Sequence, residues 1–177
     1  MKKLSVFLCA MVLVFGLGET VHALSNNHIH SRVTLRGLTS SRILVKVFDS
    51  DGKSIETFKA AITENLELEL RFAGIRTDPN SNNSIELFIN IIEVPKVPET
   101  FMYVIEIAVF QKGRLMRNEK ASICDVCTWS LGYYGLCHNM TKIRDNVKGQ
   151  IDVFINAYLS VNPGNVRPGR DTRWRRW

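Results

Sequence analysis

The chain has 177 residues, of which 45% are hydrophobic and 23% are charged, and its formal net charge is +6. This composition is ordinary for a globular protein, and the length suits one domain with additional segments at its ends. Residues 163–177 carry five arginines and one aspartate, so most of the excess positive charge lies at the carboxyl end. The rest of the chain is close to neutral, which argues against a basic face that binds nucleic acid.

The first 23 residues have the features of a secretory signal peptide. Lys2 and Lys3 provide a positive start, residues 4–18 form an apolar run, and residues 21–23 form a cleavage site with small residues. The apolar run is shorter than the ~18 residues of a membrane-spanning helix, and its Cys9 does not stand in a lipid-attachment site. We therefore predict that residues 1–23 are cleaved and that the protein is periplasmic or secreted.

Residues 24–41 precede the first clear strand, and we predict a loose amino-terminal segment there. Its two histidines, His28 and His30, are expected to be solvated, and residues 32–36 fit a short edge strand. A strand rich in β-branched residues follows at residues 42–48. This strand opens a single domain, which we place at residues 42–162.

Two segments have the apolar periodicity of amphipathic helices. The first follows Ser54, a residue type that caps helices, and ends at Gly74, where a left-handed conformation is favourable. The second is capped by Asn139 and ends before Pro163, which cannot continue a helix. The predicted buried stripe is Ile55, Phe58, Ile62, Leu66, Leu70 and Ala73 in the first helix, and Met140, Ile143, Val147, Ile151, Phe154 and Tyr158 in the second.

Between the helices the sequence predicts strands joined by short connections. Residues 75–77 fit a short strand, residues 84–94 alternate in polarity, and residues 101–111 are apolar on both faces. Residues 112–113 are placed in a hairpin turn, with a returning strand at residues 115–129. The element order predicts an α+β two-layer sandwich, in which a mostly antiparallel sheet of four or five strands carries two amphipathic helices on one face.

Three pieces of the chain carry a resemblance: residues 73–75 (Ala-Gly-Ile), residues 128–130 (Thr-Trp-Ser) and the Phe-Ile-Asn-x-Tyr-Leu-x-x-Asn-Pro pattern of residues 154–163. Together they resemble small bacterial periplasmic α+β proteins of unassigned function. The layout is also similar to the amino-terminal domain of TolB and to envelope proteins of the curli-assembly type. The resemblance covers roughly residues 40–163 and implies an envelope protein without catalytic residues, whereas the cysteines and the arginine-tryptophan tail depart from its pattern.

The strand at residues 101–111 is apolar on both faces, whereas two helices cover only one face of a sheet. We therefore predict that the uncovered face binds a partner through Phe88, Ile92, Met102, Val104 and Phe110.

A second candidate surface is the aromatic segment with Trp129, Tyr133 and Tyr134. We predict a mobile loop there because Gly132 and Gly135 flank the tyrosines. These aromatic side chains either stack on a partner, or Trp129 plugs the core while the tyrosines cover its edge. The second interpretation is favoured.

Cys124, Cys127 and Cys137 are the cysteines outside the predicted signal peptide. An oxidising compartment favours a disulfide, which we predict between Cys127 and Cys137, with Cys124 as the alternative partner. Such a bond joins the end of the last strand to the start of the last helix. The alternative is a metal site formed by the three cysteines and His138, in the spacing C-x2-C-x9-C-H.

Residues 163–177 lack apolar periodicity, and we predict a disordered tail. Cationic residues interleaved with tryptophans suit an anionic membrane surface, whereas the alternative is a tail that only adds solubility. The candidate surface-binding residues are Arg167, Arg170, Arg173, Trp174, Arg175, Arg176 and Trp177.

The sequence contains no recognisable catalytic triad, metalloprotease motif or phosphate-binding glycine loop. We therefore expect no enzyme activity and no cofactor. The expected function is that of a non-enzymatic periplasmic or secreted interaction module, which binds an envelope complex or a second copy of itself. The alternative function is metal binding by the cysteine cluster.

Overall fold

The computed structural model describes residues 22–25, 27–50, 55–114 and 123–165. The strands are β1 (His22–Ser25), β2 (Ser40–Phe48), β3 (Arg76–Thr77), β4 (Ser84–Glu93), β5 (Phe101–Arg114) and β6 (Ile123–Cys137). The helices are α1 (Ile29–Val33), α2 (Glu56–Phe72) and α3 (Met140–Val161), followed by a 3-10 turn at Pro163–Asn165.

The six strands form one open, mixed sheet in the order β1-β6-β5-β4-β2-β3. Consecutive strands β4, β5 and β6 pair antiparallel, as the short connections between them predict. Strand β2 pairs in parallel with β4, because α2 carries the chain back between them. The α+β prediction is therefore confirmed, with four long strands and two short edge strands.

Helix α2 buries the apolar stripe that its sequence predicts. Phe58, Ile62, Leu66 and Leu70 are all buried, and Ile55 packs against the same core. At its end, Gly74 adopts a positive φ of 88°, and the amide of Ile75 donates a hydrogen bond of 2.9 Å to the carbonyl of Leu70. This is the 6→1 bond that closes a helix when glycine takes the left-handed position. Ser54, the predicted cap, lies outside the described residues.

Helix α3 is capped and packed as predicted. The Asn139 side chain accepts a hydrogen bond of 2.8 Å from the amide of Lys142, which satisfies one of the unpaired donors of the first turn. At the other end the Tyr158 hydroxyl donates to the carbonyl of Leu38 over 3.0 Å, and Asn162 donates to the carbonyl of Leu35. These bonds fix the amino-terminal segment against the end of α3.

The amino-terminal segment differs from its prediction. Residues 32–36 are not an edge strand, because Ile29–Val33 form the short helix α1 and a turn follows. Leu35 and Leu38 stand three residues apart, and both are buried in the core. That spacing buries one side of a helical or turn conformation, whereas a strand would place the two leucines on opposite faces. The segment is therefore docked on the domain rather than loose.

The hairpin between β5 and β6 also differs from its prediction. Residues 112–113 belong to β5 and pair with residues 124–125 of β6, so they are not a turn. Residues 115–122, which include the start of the predicted returning strand, lie outside the described residues. Strand β6 then continues to Cys137, through the segment that we predicted to be an aromatic loop. There is no room for a side chain at Gly135, since a Cβ atom there would lie 2.7 Å from the Tyr103 hydroxyl oxygen.

Strand β1 pairs antiparallel with residues 131–134 of β6. Two of its four residues, His22 and Ala23, stand before the predicted cleavage point, so cleavage there would leave half of this strand on the domain. Residues 1–21 lie outside the described residues, and the signal peptide stays a prediction. Within the described part of the chain, no helix is long and apolar enough to cross a membrane.

Candidate docking surface

The sheet has an inner face, which packs against the helices, and an outer face, which carries no helix among the described residues. On β5 the inner residues Tyr103, Ile105 and Ile107 are at most 2% exposed. The outer residues of the same strand, Met102 and Val104, are 42% and 37% exposed. Alternate side chains of one strand point to opposite faces, so this contrast separates the two surfaces of the protein.

One end of the outer face is largely apolar, although Asn90 of β4 lies among its side chains. The strand register aligns Ile92 with Met102 and Leu136 in one row, and Val104 with Tyr134 in the next. Leu136 is the most accessible of these side chains, at 50%. We call this surface the apolar band and define it as Phe48, Phe88, Ile92, Met102, Val104, Tyr134 and Leu136.

A row with a charged residue on either side of Phe88 crosses the outer face at the edge of the apolar band. The register places Lys46, Phe88 and Glu106 side by side on β2, β4 and β5. The Lys46 ammonium lies 3.8 Å from a carboxylate oxygen of Glu86, with the lysine side chain 55% exposed. Such an exposed pair contributes little to stability, so the lysine is available to a second carboxylate.

The far end of the outer face is more polar. Here the Lys112 ammonium lies 2.9 Å from the Asp125 carboxylate, and the hydrogen bond from Lys112 lowers the pKa of Asp125, with Arg42 adding to the effect. Within the described residues, Nε of Arg42 and Oγ of Ser84 are buried without a hydrogen-bond partner. These two residues are register partners on β2 and β4.

The five side chains predicted to form the uncovered face all lie on the outer face. Phe88, Ile92, Met102, Val104 and Phe110 occupy outward positions on β4 and β5, and the first two and the last are half-buried. Their spacing of two along each strand is what places them together.

The three predicted aromatic residues divide between the two faces. Tyr134 lies on the outer face and is 38% exposed. Trp129 is fully buried on the inner face, where its ring packs 5.1 Å from that of Phe154 and its indole N–H donates to Oδ1 of Asn27. Trp129 therefore plugs the core and cannot contact a partner.

Tyr133 also belongs to the inner face. Its ring stacks on Tyr103 at 5.9 Å, and Asn146 donates a hydrogen bond of 2.5 Å to the Tyr103 hydroxyl. Burial raises the pKa of the Tyr103 phenol, and the hydrogen bond with Tyr133 adds to the rise, while the bond from Asn146 opposes it. This tyrosine pair is a part of the packing between β5, β6 and α3 rather than a binding platform.

The predicted disulfide is not present. No disulfide joins Cys124, Cys127 and Cys137. Cys127 and Cys137 lie ten residues apart on β6, roughly 30 Å at about 3.3 Å per residue, whereas a disulfide needs Cα atoms within about 7 Å. The prediction was wrong because β6 continues through the segment that was expected to fold back as a loop.

A β-bulge places Cys127 and Trp129 on opposite faces of the sheet, although residues two apart on a regular strand share one face. Val109 pairs with Trp129 and Phe110 pairs with Cys127, so Thr128 is an extra residue in β6. Cys127 consequently lies on the outer face beside Phe110, while Trp129 lies on the inner face. Desolvation raises the pKa of the Cys127 thiol, and the charges of Glu106 and Glu86 on the same face add to the rise.

The alternative metal site is not assembled either. Among the described residues no group of three or more cysteine, histidine or acidic side chains converges. Cys137 is buried on the inner face, at the carboxyl end of β6. Nδ1 of the adjacent His138 lies 3.2 Å from the Thr100 hydroxyl. Cys124 approaches the carbonyl of Gly113 instead. Cys127 is on the opposite face, so the four predicted ligands cannot meet at one ion.

Three side chains of the outer face were missed in the sequence. Leu44 and Phe48 extend it across β2, and Leu136 extends it onto β6. The alternation of residues 42–48 places Leu44 and Phe48 on one face of that strand, so this pattern was sufficient to predict both positions. Leu136 was not predicted because Gly132 and Gly135 are typical of a loop, and the segment was therefore not assigned to a strand.

Two other regions are candidates for binding: a groove beside α2 and the carboxyl-terminal tail. A groove at the carboxyl end of α2 is lined by Glu67, Arg71, Gly74, Ile75, Arg76 and Thr77. Its Arg76 is engaged 3.7 Å from the Asp78 carboxylate. The predicted surface-binding arginines and tryptophans of the tail fall in residues 166–177, which lie outside the described residues.

No family model and no curated protein matches the chain. Among solved structures, a variant of PelC from Paraburkholderia phytofirmans, described as a dodecamer, is 10% identical with a TM-score of 0.39, over 80% of this chain and 97% of that chain. The rare lipoprotein B from Shewanella oneidensis is 11% identical with a TM-score of 0.26, over 68% of this chain and 94% of that chain. At these scores the likenesses assign neither a family nor a function.

Proposed function

We propose that the protein is a non-enzymatic, exported interaction module that associates with a second copy of itself through the outer face. The observation that carries this proposal is the apolar band, where Met102, Val104, Tyr134 and Leu136 are between 37% and 50% exposed. Soluble proteins rarely leave a contiguous apolar surface of this kind in water unless something binds there.

The shape of the outer face suits another sheet. Four strands about 4.8 Å apart, over nine residues at about 3.3 Å each, make a surface of roughly 20 by 30 Å. Two such surfaces in contact bury on the order of 1,200 Å², which reaches the lower end of stable protein interfaces. Two sheets pack face to face in β-sandwiches in the same manner, with side chains interdigitating between them.

A second copy is favoured as the occupant because the face carries both signs of charge beside the apolar band. Lys46 and Glu106 lie on opposite sides of β4 on the same surface. A surface that contains its own complement can bind a copy of itself, which is the rule for two-fold symmetric dimers. An envelope protein with a similar apolar face remains the other occupant that the test must distinguish.

The test compares two valines of equal exposure on opposite sides of the protein. Val104 on the outer face and Val153 on α3 are both 37% exposed. We expect Val104→Arg to weaken dimerisation at least tenfold, because a charge would be desolvated within an apolar contact. The matched variant Val153→Arg should leave the dimerisation constant unchanged in sedimentation equilibrium.

A wild-type protein that stays monomeric up to high micromolar concentration would overturn self-association. If it then captured an envelope protein through the same face, with Val104→Arg abolishing the capture, the second copy would be the wrong occupant. Equal loss of dimer in the Val104→Arg and Val153→Arg variants would show that the outer face is not the contact.

A further inference from the structure

The charged row on the outer face has an approximate mirror arrangement of opposite charges. Phe88 stands in the middle on β4, Lys46 is its register partner on β2, and Glu106 is its register partner on β5. Adjacent strands lie about 4.8 Å apart, so the positive and negative side chains flank Phe88 at similar distances.

We infer that the second copy binds with a two-fold axis that runs along β4, in the plane between the two outer faces. This inference rests on the proposed self-association and specifies its geometry. Rotation about that axis exchanges the two sides of β4, so Lys46 of each copy faces Glu106 of the other. The symmetry forms this ion pair twice, once on each side of the axis.

The apolar positions agree with the same axis. Val104 on β5 and Phe48 on β2 are both register neighbours of Asn90 on β4, so each faces the other across the interface. Phe88 and Ile92 lie on β4 itself and face their own copies. Asn90, which lies between them on the same face of β4, also faces its own copy. Apolar side chains thus meet apolar side chains around one central pair of amides, which can hydrogen-bond to each other.

A two-fold axis along the charged row, across the strands, is disfavoured by the same residues. It would place Lys46 against Lys46 and Glu106 against Glu106, and juxtaposed like charges act against association. Glu106 is exposed at the centre of the face, so its carboxylate would feel that repulsion directly. The axis along β4 also brings Glu86 against its own copy, which is one like-charge contact, but it forms two Lys46–Glu106 pairs, whereas the axis along the row forms none. On balance charge therefore favours the orientation along β4.

The test is a charge exchange in the full protein, measured by sedimentation equilibrium at low and at high salt. Lys46→Glu alone and Glu106→Lys alone should each weaken the dimer about tenfold, because each creates two like-charge contacts. The double variant should restore the dimer to within about threefold of the wild type, because both pairs re-form with reversed signs. Lys148→Glu on α3 controls for net charge and should have no effect.

Circular dichroism and thermal unfolding of each variant verify that it folds, and exposed charges of this kind rarely alter folding. If both single variants weaken the dimer and the double variant is weaker still, the axis along β4 is wrong. If neither single variant changes a dimer that Val104→Arg does dissociate, the axis is also wrong, while the docking face stands. A protein that does not dimerise at all would overturn the proposed function itself.

Discussion

The two faces of the sheet are made by the same four long strands, yet their side chains differ in polarity and in exposure. The inner face is apolar, and most of its side chains are buried in one core with α2 and α3, while Ile43 and Tyr133 are partly buried against that core. The outer face has the apolar band at one end and rows with charged side chains beyond it, and the apolar side chains of the band remain partly accessible. The inner face accounts for the fold, whereas the outer face has a composition that folding alone does not require.

The largest expected contrast between the faces is in stability. Trp129 and Tyr134 lie five residues apart on β6, one on each face. Trp129→Ala should lower the free energy of unfolding by about 3–5 kcal/mol, because it empties a fully buried site. Tyr134→Ala should cost less than about 1 kcal/mol at concentrations where the protein is monomeric. Urea denaturation of both variants measures the difference, and similar losses would contradict the assignment of the two faces.

A smaller contrast is expected between two glycines. A Cβ atom at Gly135 would lie 2.7 Å from the Tyr103 hydroxyl, whereas one at Gly149 on α3 meets nothing within 4 Å. Gly135→Ala should therefore destabilise the protein by about 1–3 kcal/mol through overpacking of the inner face. Gly149→Ala should stabilise it by about 0.5–1 kcal/mol, since alanine favours the helix. Thermal unfolding checks both, and stabilisation by Gly135→Ala would show that the inner face is loosely packed there.

The cysteines offer a chemical comparison of the faces. In the native protein, Cys127 on the outer face should react with a thiol reagent, whereas Cys137, 5% exposed, should react only after unfolding. Because the pKa of Cys127 is raised, its thiolate fraction is small at neutral pH, so its reaction should keep accelerating beyond the pH at which an ordinary cysteine levels off. Peptide mapping without reductant identifies each site, and recovery of Cys137 in a disulfide would contradict the structure.

The smallest effect on stability is expected from the tail. Deleting residues 166–177 should leave the melting temperature and dimerisation nearly unchanged, because this segment lacks the apolar periodicity of a core element. Binding to anionic lipid vesicles should fall, because the segment carries five arginines and two tryptophans. Loss of the dimer on deletion would contradict this prediction and would show that the tail, rather than the outer face, holds the two copies together.

The helices and the central strands were predictable because each has one dominant periodicity. The stripes of α2 and α3 repeat every three or four residues, and β4 alternates cleanly, so burial follows directly from spacing. The uncovered face was predictable because two helices on one side of the sheet leave the other side of β5 without a helix. These features depend on local patterns that tertiary contacts did not override.

The path of β6 was not predictable from local signals. Gly132 and Gly135 are typical of a loop, but Gly135 is required by the Tyr103 side chain on the neighbouring strand. The bulge at Thr128 shifts the face of every preceding residue, and no pattern within β6 marks it. The disulfide and metal predictions both depended on the assumed loop, so they failed together. Likewise, the segment that follows α1 is fixed by hydrogen bonds from Tyr158 and Asn162 to the carbonyls of Leu38 and Leu35, and these partners are more than a hundred residues distant in sequence.

The most direct test of the account is whether the outer face becomes covered as the protein associates. Hydroxyl-radical footprinting, read by mass spectrometry across a range of protein concentrations, reports this for two methionines. Met102 is 42% exposed on the outer face, and Met140 is half-buried at the start of α3. We predict that oxidation of Met102 falls as the concentration rises, while that of Met140 stays constant. Oxidation of Met102 at the same rate at every concentration would contradict the assignment of the outer face as the docking surface.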